Sequence, residues 1–151
     1  MQFEWRLKTF EELSTAELYD IMAERIRIFV VEQDCPYQEA DGLDKVSLHM
    51  SALDEKESVA AYIRILPPGA AYKEAAIGRV IVAQEFRGQQ LGRLVMERGM
   101  QEIAERWPES PIRIGAQIYL NKFYSSLGFV NEGEEYLEDG LPHIEMLYSK
   151  P

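Results

Sequence analysis

The chain has a single cysteine, Cys35, and only two histidines, His49 and His143, among its 151 residues. One cysteine excludes an internal disulfide and fits a reducing compartment, so we expect a cytoplasmic protein. No spacing of histidine, cysteine and acidic residues is typical of a metal centre, and we expect no metal.

Long apolar runs and basic charge are also scarce. No apolar stretch approaches the ~18 residues of a membrane-spanning helix, and the N-terminus lacks the basic and apolar regions of a signal peptide. Lysine and arginine number 16 against 26 acidic residues, which gives a net charge of −10. We therefore expect neither a membrane nor a nucleic acid as partner, whereas a cationic small substrate would suit this charge.

The length fits one domain spanning residues 1–151. Hydrophobic periodicity predicts a mixed α/β fold, a sheet with helices on both faces. The first helix begins after the N-cap Ser14, fades near Val30 and Val31, and is followed by a loop over 32–44. The other helices are expected to end near Arg106 and to cover 119–127, with Gly128 as a C-cap. Strands are predicted at 3–8, 46–54, 58–66, 76–83, 111–117, 129–137 and 142–149.

The most informative segment is an apolar strand over 76–83 followed by the glycine-bearing loop Arg87–Gly92, which opens a long helix. Backbone N–H groups at a helix start have no intrahelical partners, and the helix dipole adds partial positive charge there. Glycines in such a loop allow close approach of a ligand to the backbone. With Arg87 and Arg93 beside it, the segment predicts a site for an anionic cofactor such as one carrying a pyrophosphate.

Three groups of residues resemble one family. Arg87-x-x-Gln90-x-Gly92 resembles the acetyl-CoA motif of the GCN5-related N-acetyltransferases (GNAT superfamily), and Asn121–Phe129 resembles that superfamily's later signature, with a tyrosine shortly before Gly-Phe. Further short segments resemble its ElaA-like branch: Phe29–Gln33, Cys35–Tyr37, Asp41–Gly42, Gly115–Gln117 and Pro142–His143.

The resemblance implies the GNAT fold, a mostly antiparallel mixed sheet splayed in its middle. It also implies an enzyme that moves an acetyl group from acetyl-CoA to a primary amine of a small molecule or peptide, by direct attack in a ternary complex. A backbone N–H, that of Val82, would stabilise the oxyanion. The implied cofactor-binding residues are Val80, Ile81, Val82, Arg87, Gly88, Gln89, Gln90, Leu91, Gly92, Arg93, Gln117 and Asn121.

Two positions depart from the family pattern. Gln90 stands where a glycine is usual, but it can still offer its N–H if its φ is ordinary, and we expect the cofactor site to survive. Gln117 occupies a position that is often asparagine, which leaves that side-chain contact open.

Tyr124 is predicted to be the general acid that protonates the leaving thiolate. A phenol of pKa ~10 is protonated at neutral pH and lies in a useful range for this transfer. The alternative is an interior tyrosine that packs beside Phe123 and Phe129.

Glu32 is the first candidate for the general base that deprotonates the amine. It ends the first helix beside an apolar run, so we expect it to be partly desolvated. The alternative is a helix-end carboxylate paired with Arg25 or Arg27. The remaining candidates for the base are Asp41, Asp44, Glu145 and His143.

Two other functions fit parts of the pattern. The residues Arg27, Phe29, Glu32, Asp41 and Asp44 loosely resemble acyl-homoserine-lactone synthases, which share this fold and use acyl-carrier protein with S-adenosylmethionine. The departure at Gln90 fits a non-catalytic acyl-CoA sensor that keeps the loop. The oligomeric state stays open, with a homodimer among the alternatives.

Overall fold

A seven-stranded mixed sheet forms the centre of the computed structural model, which describes residues 2–150. The strands lie in the order β1-β2-β3-β4-β5-β7-β6, and only the β4–β5 pair is parallel. This architecture confirms the predicted fold. The strands are β1 Glu4–Thr9, β2 Leu48–Leu53, β3 Val59–Leu66, β4 Ala75–Val82, β5 Ile112–Gln117, β6 Val130–Glu138 and β7 Leu141–Tyr148.

Three α-helices flank the sheet: α1 Thr15–Ile26, α2 Leu91–Arg106 and α3 Asn121–Ser126. A π-helical turn, Arg27–Glu32, continues α1, so the first helical segment reaches one residue beyond the predicted fade. Short 3₁₀ turns lie at Leu43–Val46, Gln84–Phe86 and Ile118–Leu120. No helix within residues 2–150 is both long and apolar enough to span a membrane.

The strands send alternate side chains to two cores. Ile63 and Ile65 of β3 pack in the core that contains α2, whereas Tyr62, which precedes Ile63, packs with Ile21 of α1. We call the two sides of the sheet the α2 face and the α1 face. Because α1 and α2 cover opposite faces, β2 and β3 are buried on both sides, as their uninterrupted buried pattern shows.

The sheet splays between β4 and β5. These strands pair only at Ala75 with Ile112 and at Ala76 with Arg113. Beyond that point β4 stays bonded to β3, and β5 stays bonded to β7 as far as Gln117. The two halves of the sheet therefore separate and leave a cleft between the facing edges of β4 and β5.

Local signals in the sequence act as predicted at three places. Ser14 accepts the N–H of Glu17, whose side chain accepts the Ser14 N–H, so the capping box is formed. Gly128 ends α3 with a φ of 101°, a conformation that favours glycine. Asp139 and Gly140 both have positive φ, which is the geometry of a two-residue hairpin turn.

The close contact of α2 with the sheet depends on Gly99. A Cβ atom there would lie 2.3 Å from Cδ1 of Ile63 and 3.5 Å from Cδ1 of Ile77. We expect Gly99→Ala to lower the free energy of unfolding by about 1–2 kcal/mol, since overpacking outweighs the gain of roughly 1 kcal/mol in helix propensity. Denaturant melts measure this change.

Ile63→Val removes the methyl group that Gly99→Ala would meet. The double variant should therefore be more stable than the two single changes predict by addition. A Gly99→Ala protein that is more stable than the wild type would contradict this packing.

Candidate active site

The cleft between β4 and β5 has a volume of about 580 Å³. Both strands contribute backbone and side chains to it, and the loop that follows the π-helical turn closes one side. Residues that line it include Gln33, Cys35, Asp41, Tyr72, Gly78, Val80, Gly115, Gln117, Tyr124, Tyr136 and His143.

Tyr124 and His143 line this one cleft from opposite faces of the sheet. Tyr124 packs with Ile114 and Ala116 on the α2 face. His143 lies in register with Gln117 of β5, whose side chain alternates to the α1 face. The cleft therefore passes through the sheet, with a phenol on one side and an imidazole on the other.

The edge of β4 that faces the cleft offers free backbone groups. The Ala83 N–H donates to the Ala60 carbonyl of β3 at 2.8 Å, so by alternation Val82 directs its N–H and C=O groups to the open side. Val80 follows Arg79, whose φ is 52°, at the irregularity in the β3–β4 register. Ile81 does not share this edge. It pairs with Tyr62 of β3 and its side chain is buried, so it supports the edge rather than offering groups to a cofactor.

The start of α2 is an uncapped cluster of N–H donors. The first helical bond runs from the Leu94 N–H to the Gln90 carbonyl at 3.1 Å, so the N–H groups of Leu91, Gly92 and Arg93 precede it. No side chain caps the helix and no acidic residue lies in its first turn. Both features leave these donors free for an anionic group, and the residues present fit a phosphate-bearing cofactor.

Gln90 is not in the ordinary conformation that we expected. Its φ is 64° and its ψ is 14°, in the left-handed region. The backbone therefore keeps the turn that a glycine would make with less strain, because a Cβ atom disfavours this region by roughly 1–2 kcal/mol. Gly88, two residues earlier in the same loop, also has a positive φ, of 79°.

Glu32 is held by Arg87 across the loop. The Arg87 Nη1 and Nη2 atoms donate to the two Glu32 carboxylate oxygens at 2.5 and 2.8 Å. The hydrogen bonds from Arg87 lower the pKa of Glu32, and the side chain is 38% exposed. The hydrogen bonds from Arg87 therefore outweigh the expected desolvation. The hydrogen-bond partner is neither Arg25 nor Arg27, because the π-helical turn directs Glu32 toward the loop. Its catalytic role stays a prediction.

Arg87 also contacts the open strand edge. Its Nε donates to the Val82 carbonyl at 3.0 Å. The guanidinium therefore joins Glu32, the loop and the free end of β4, at the place where the predicted cofactor would lie.

The other predicted cofactor residues lie around the start of α2 and at the far end of β5. Arg93 donates to the Ser126 hydroxyl at 3.0 Å, which connects α2 with α3. Gln89 is exposed and donates to the Glu85 carbonyl at 3.4 Å. Gln117 lies in the cleft, whereas the Asn121 amide donates to Asn131 at 2.6 Å and would have to leave that bond to contact a cofactor.

Tyr124 packs in the interior beside Phe123 and Phe129, and its role as the general acid stays a prediction. Its ring packs against Phe123 and Phe129, with centroids 5.1 and 6.1 Å away. Burial raises the pKa of its phenol well above the ordinary value, so the group is protonated at neutral pH but is a weaker acid than expected.

The Tyr124 hydroxyl is open to the cleft. It makes no hydrogen bond to residues 2–150, and the buried side-chain atoms that lack a partner there belong to Arg64 and Arg79 alone. The Tyr124 oxygen is therefore accessible, and the cleft is the space that it lines.

Asp41 and Asp44, two other candidates for the base, belong to an arginine network. Arg64 donates to Asp41 at 2.9 Å, and Arg25 donates to Asp44 at 2.7 Å. Burial opposes ionisation of both carboxyls, but these arginines outweigh it and lower the pKa of each. The side chain of Glu145 likewise accepts from Arg113 at 2.7 Å.

Sequence reasoning missed two tyrosines of the cleft, Tyr72 and Tyr136. A Cβ atom on Gly115 would lie 2.9 Å from the Tyr136 hydroxyl and 3.8 Å from that of Tyr72, so the glycine leaves room for both. The three residues lie far apart in the chain, and of these three only Gly115 belongs to a segment of the family resemblance. Among residues 2–150, no group of His, Cys, Asp and Glu side chains is arranged to hold a metal ion.

The fold and cleft are those of an acetyltransferase, and comparison with known proteins identifies the family. Residues 17–150 match the model of the acetyltransferase (GNAT) domain, and the chain belongs to this family. It is similar to protein ElaA of Escherichia coli K12, with 40% identity over 144 residues that cover 95% of this chain and 94% of ElaA.

Two crystal structures extend the comparison. An acyl-CoA N-acyltransferase from Pseudomonas aeruginosa is 40% identical, with a TM-score of 0.93 and coverage of 98% of this chain and 100% of that one. Escherichia coli ElaA is 38% identical, with a TM-score of 0.91 and the same coverage. Both the superfamily and the branch indicated by the sequence motifs are confirmed.

Proposed function

We propose that this protein is an N-acetyltransferase that uses acetyl-CoA to acetylate a primary amine of a small molecule or peptide. The main observation behind this proposal is that three structural features follow one another in a single site. The uncapped N–H groups of α2 adjoin the open edge of β4, and that edge leads to the hydroxyl of Tyr124.

Binding would use the backbone more than side chains. The N–H groups of Leu91, Gly92 and Arg93 would hold the pyrophosphate, assisted by the helix dipole. Val80 and Val82 would pair with the amides of the pantetheine arm as a neighbouring strand does. Arg87 would exchange its bonds to Glu32 and to the Val82 carbonyl for contacts with the ligand.

Acetyl-CoA supplies an activated acyl group as a thioester. The N–H of Val82 would stabilise the developing oxyanion, an effect of ~3 kcal/mol when the donor is well aligned. Tyr124 would give its phenolic proton to the leaving thiolate from the α2 face. The acceptor amine would approach through the α1 face, where Tyr72, Tyr136 and His143 line the cleft.

Calorimetric titration with acetyl-CoA and a thiol-release assay over a panel of primary amines test this function together. Binding with amine-dependent thiol release supports the proposal. Binding without thiol release from any amine would make the chain a sensor. Turnover only with acyl-carrier protein and S-adenosylmethionine would make it a lactone-synthase-type enzyme.

Removing the charge of Glu32 should show whether this carboxylate only competes with the cofactor for Arg87 or also acts as the general base. We expect Glu32→Gln to bind acetyl-CoA about 2–5-fold more tightly, because an exposed carboxylate that competes for Arg87 is lost. We expect little change in kcat, since the lowered pKa makes this carboxylate a weak base.

Glu85→Gln is the matched control, because it removes the same charge from the turn before the loop. A fall in kcat of about 100-fold in Glu32→Gln, but not in the control, would instead assign the general base to Glu32.

A further inference from the structure

The tautomer of His143 follows from its backbone contact. Its Nδ1 lies 2.7 Å from the carbonyl oxygen of Leu141. A carbonyl oxygen can only accept a hydrogen bond, so Nδ1 carries the proton of the neutral ring. The lone pair is therefore on Nε2, and the ring plane is fixed by stacking on Tyr136 at a centroid distance of 5.8 Å.

The Nε2 atom is free and accessible although the residue is 7% exposed. It accepts no hydrogen bond from residues 2–150, and it is not among the buried atoms there that lack a partner. The nearest charge is the Glu138 carboxylate, 3.7 Å from Nε2. The lone pair is therefore presented to the cleft that His143 lines.

The four carboxylates that are candidates for the general base are each paired with an arginine. Glu32 is paired with Arg87, Asp41 and Asp44 are paired within the buried network, and Glu145 is paired with Arg113. A carboxylate held in this way gives up basicity. Of the five candidates, His143 alone has an uncommitted basic atom in the cleft.

We propose that His143 Nε2 is the general base for the acceptor amine, an inference that rests on the proposed function. Nε2 takes one proton from the ammonium group, and the freed amine attacks the thioester carbonyl carbon. Nε2 passes this first proton to solvent. As the carbon–sulfur bond breaks, the nitrogen loses its second proton to Nε2, which also releases it to solvent. Tyr124 protonates the thiolate and recovers its own proton from solvent, so the amide, a free thiol and one proton are the net products.

The charged groups around His143 come from several elements. The Glu138 carboxylate of β6 lies 3.7 Å from Nε2, Asp139 of the hairpin turn lines the same cleft, and Glu145 lies two residues further along β7. Gln117 of β5, which pairs with His143, is neutral. The tyrosines and Cys35 are further titratable groups of the cleft; burial raises the pKa of Tyr136 to about 12.

Two variants test His143 as the general base, so the result does not depend on the correct folding of a single variant. His143→Asn keeps a donor for the Leu141 carbonyl, and His143→Gln keeps a polar group near the Nε2 position, but neither is basic. We expect kcat to fall about 100-fold in both, with acetyl-CoA affinity and melting temperature unchanged. The acidic limb should be lost, and added imidazole should restore part of the rate.

The outcomes separate the two proposals. If the wild-type protein acetylates an amine and either His143 variant is equally active, His143 is not the general base, and the proposed acetyltransferase function is unaffected. A wild-type protein that binds acetyl-CoA but acetylates no amine overturns both. Nitrogen-15 NMR gives an independent test, since a proton on Nε2 of the neutral ring would contradict the assignment.

Discussion

Tyr124→Phe is expected to lower kcat by ~10²–10⁴-fold, the range for removal of a general acid, while acetyl-CoA affinity stays unchanged. The substitution removes a single oxygen that makes no hydrogen bond to residues 2–150, so the packing against Phe123 and Phe129 is kept. The free energy of unfolding should therefore hardly change. Steady-state kinetics, calorimetric titration and a thermal melt measure the three quantities.

Tyr148→Phe is the matched control for that prediction. Tyr148 packs at a tilt against the same Phe129, with a centroid distance of 5.7 Å, but it lines a groove beside α2 instead of the cleft. The Tyr148→Phe substitution should therefore leave kcat unchanged. Full activity in Tyr124→Phe would remove the leaving-group acid from the mechanism, whereas equal losses in both variants would indicate a packing effect.

Gly92→Asp should abolish cofactor binding and stabilise the protein at the same time. A carboxylate in the first turn of α2 repels phosphate and competes for its N–H donors, so we expect acetyl-CoA affinity to fall by about 100-fold. The same charge complements the helix dipole and should add about 0.5–1 kcal/mol of stability. A Cβ atom fits, because it would lie 3.4 Å from Val82 Cγ2.

Gly92→Asn provides the neutral control for this substitution. It has nearly the same shape as aspartate, so any steric effect on binding should appear in both variants and the electrostatic effect in Gly92→Asp alone. Unchanged affinity in Gly92→Asp would show that the start of α2 does not hold the pyrophosphate.

Local sequence signals predicted the ends of the helices and turns. The capping box at Ser14, the C-cap at Gly128 and the turn at Asp139 and Gly140 each depend on a few neighbouring residues. The splayed sheet could not be derived in that way, because it depends on which strands pair across the chain. It came from the resemblance to a family.

The electrostatics of the site could not be predicted from the sequence. Glu32 and Arg87 are 55 residues apart, and nothing local marks them as partners. Gln90 has a left-handed backbone because the turn into α2 imposes it, which the side chain does not reveal. His143 differs from a packed histidine only through the Leu141 carbonyl and the free Nε2 atom, and both require the folded hairpin.

Mass spectrometry of a panel of primary amines, incubated with the protein and isotopically labelled acetyl-CoA, detects the proposed acetyl transfer itself. We expect at least one amine to gain a labelled acetyl group in the presence of the wild-type protein, with release of an equal amount of free coenzyme A. We also expect this gain to be largely lost with Tyr124→Phe. Unchanged masses for every amine, with a protein that binds acetyl-CoA, would overturn the proposed activity.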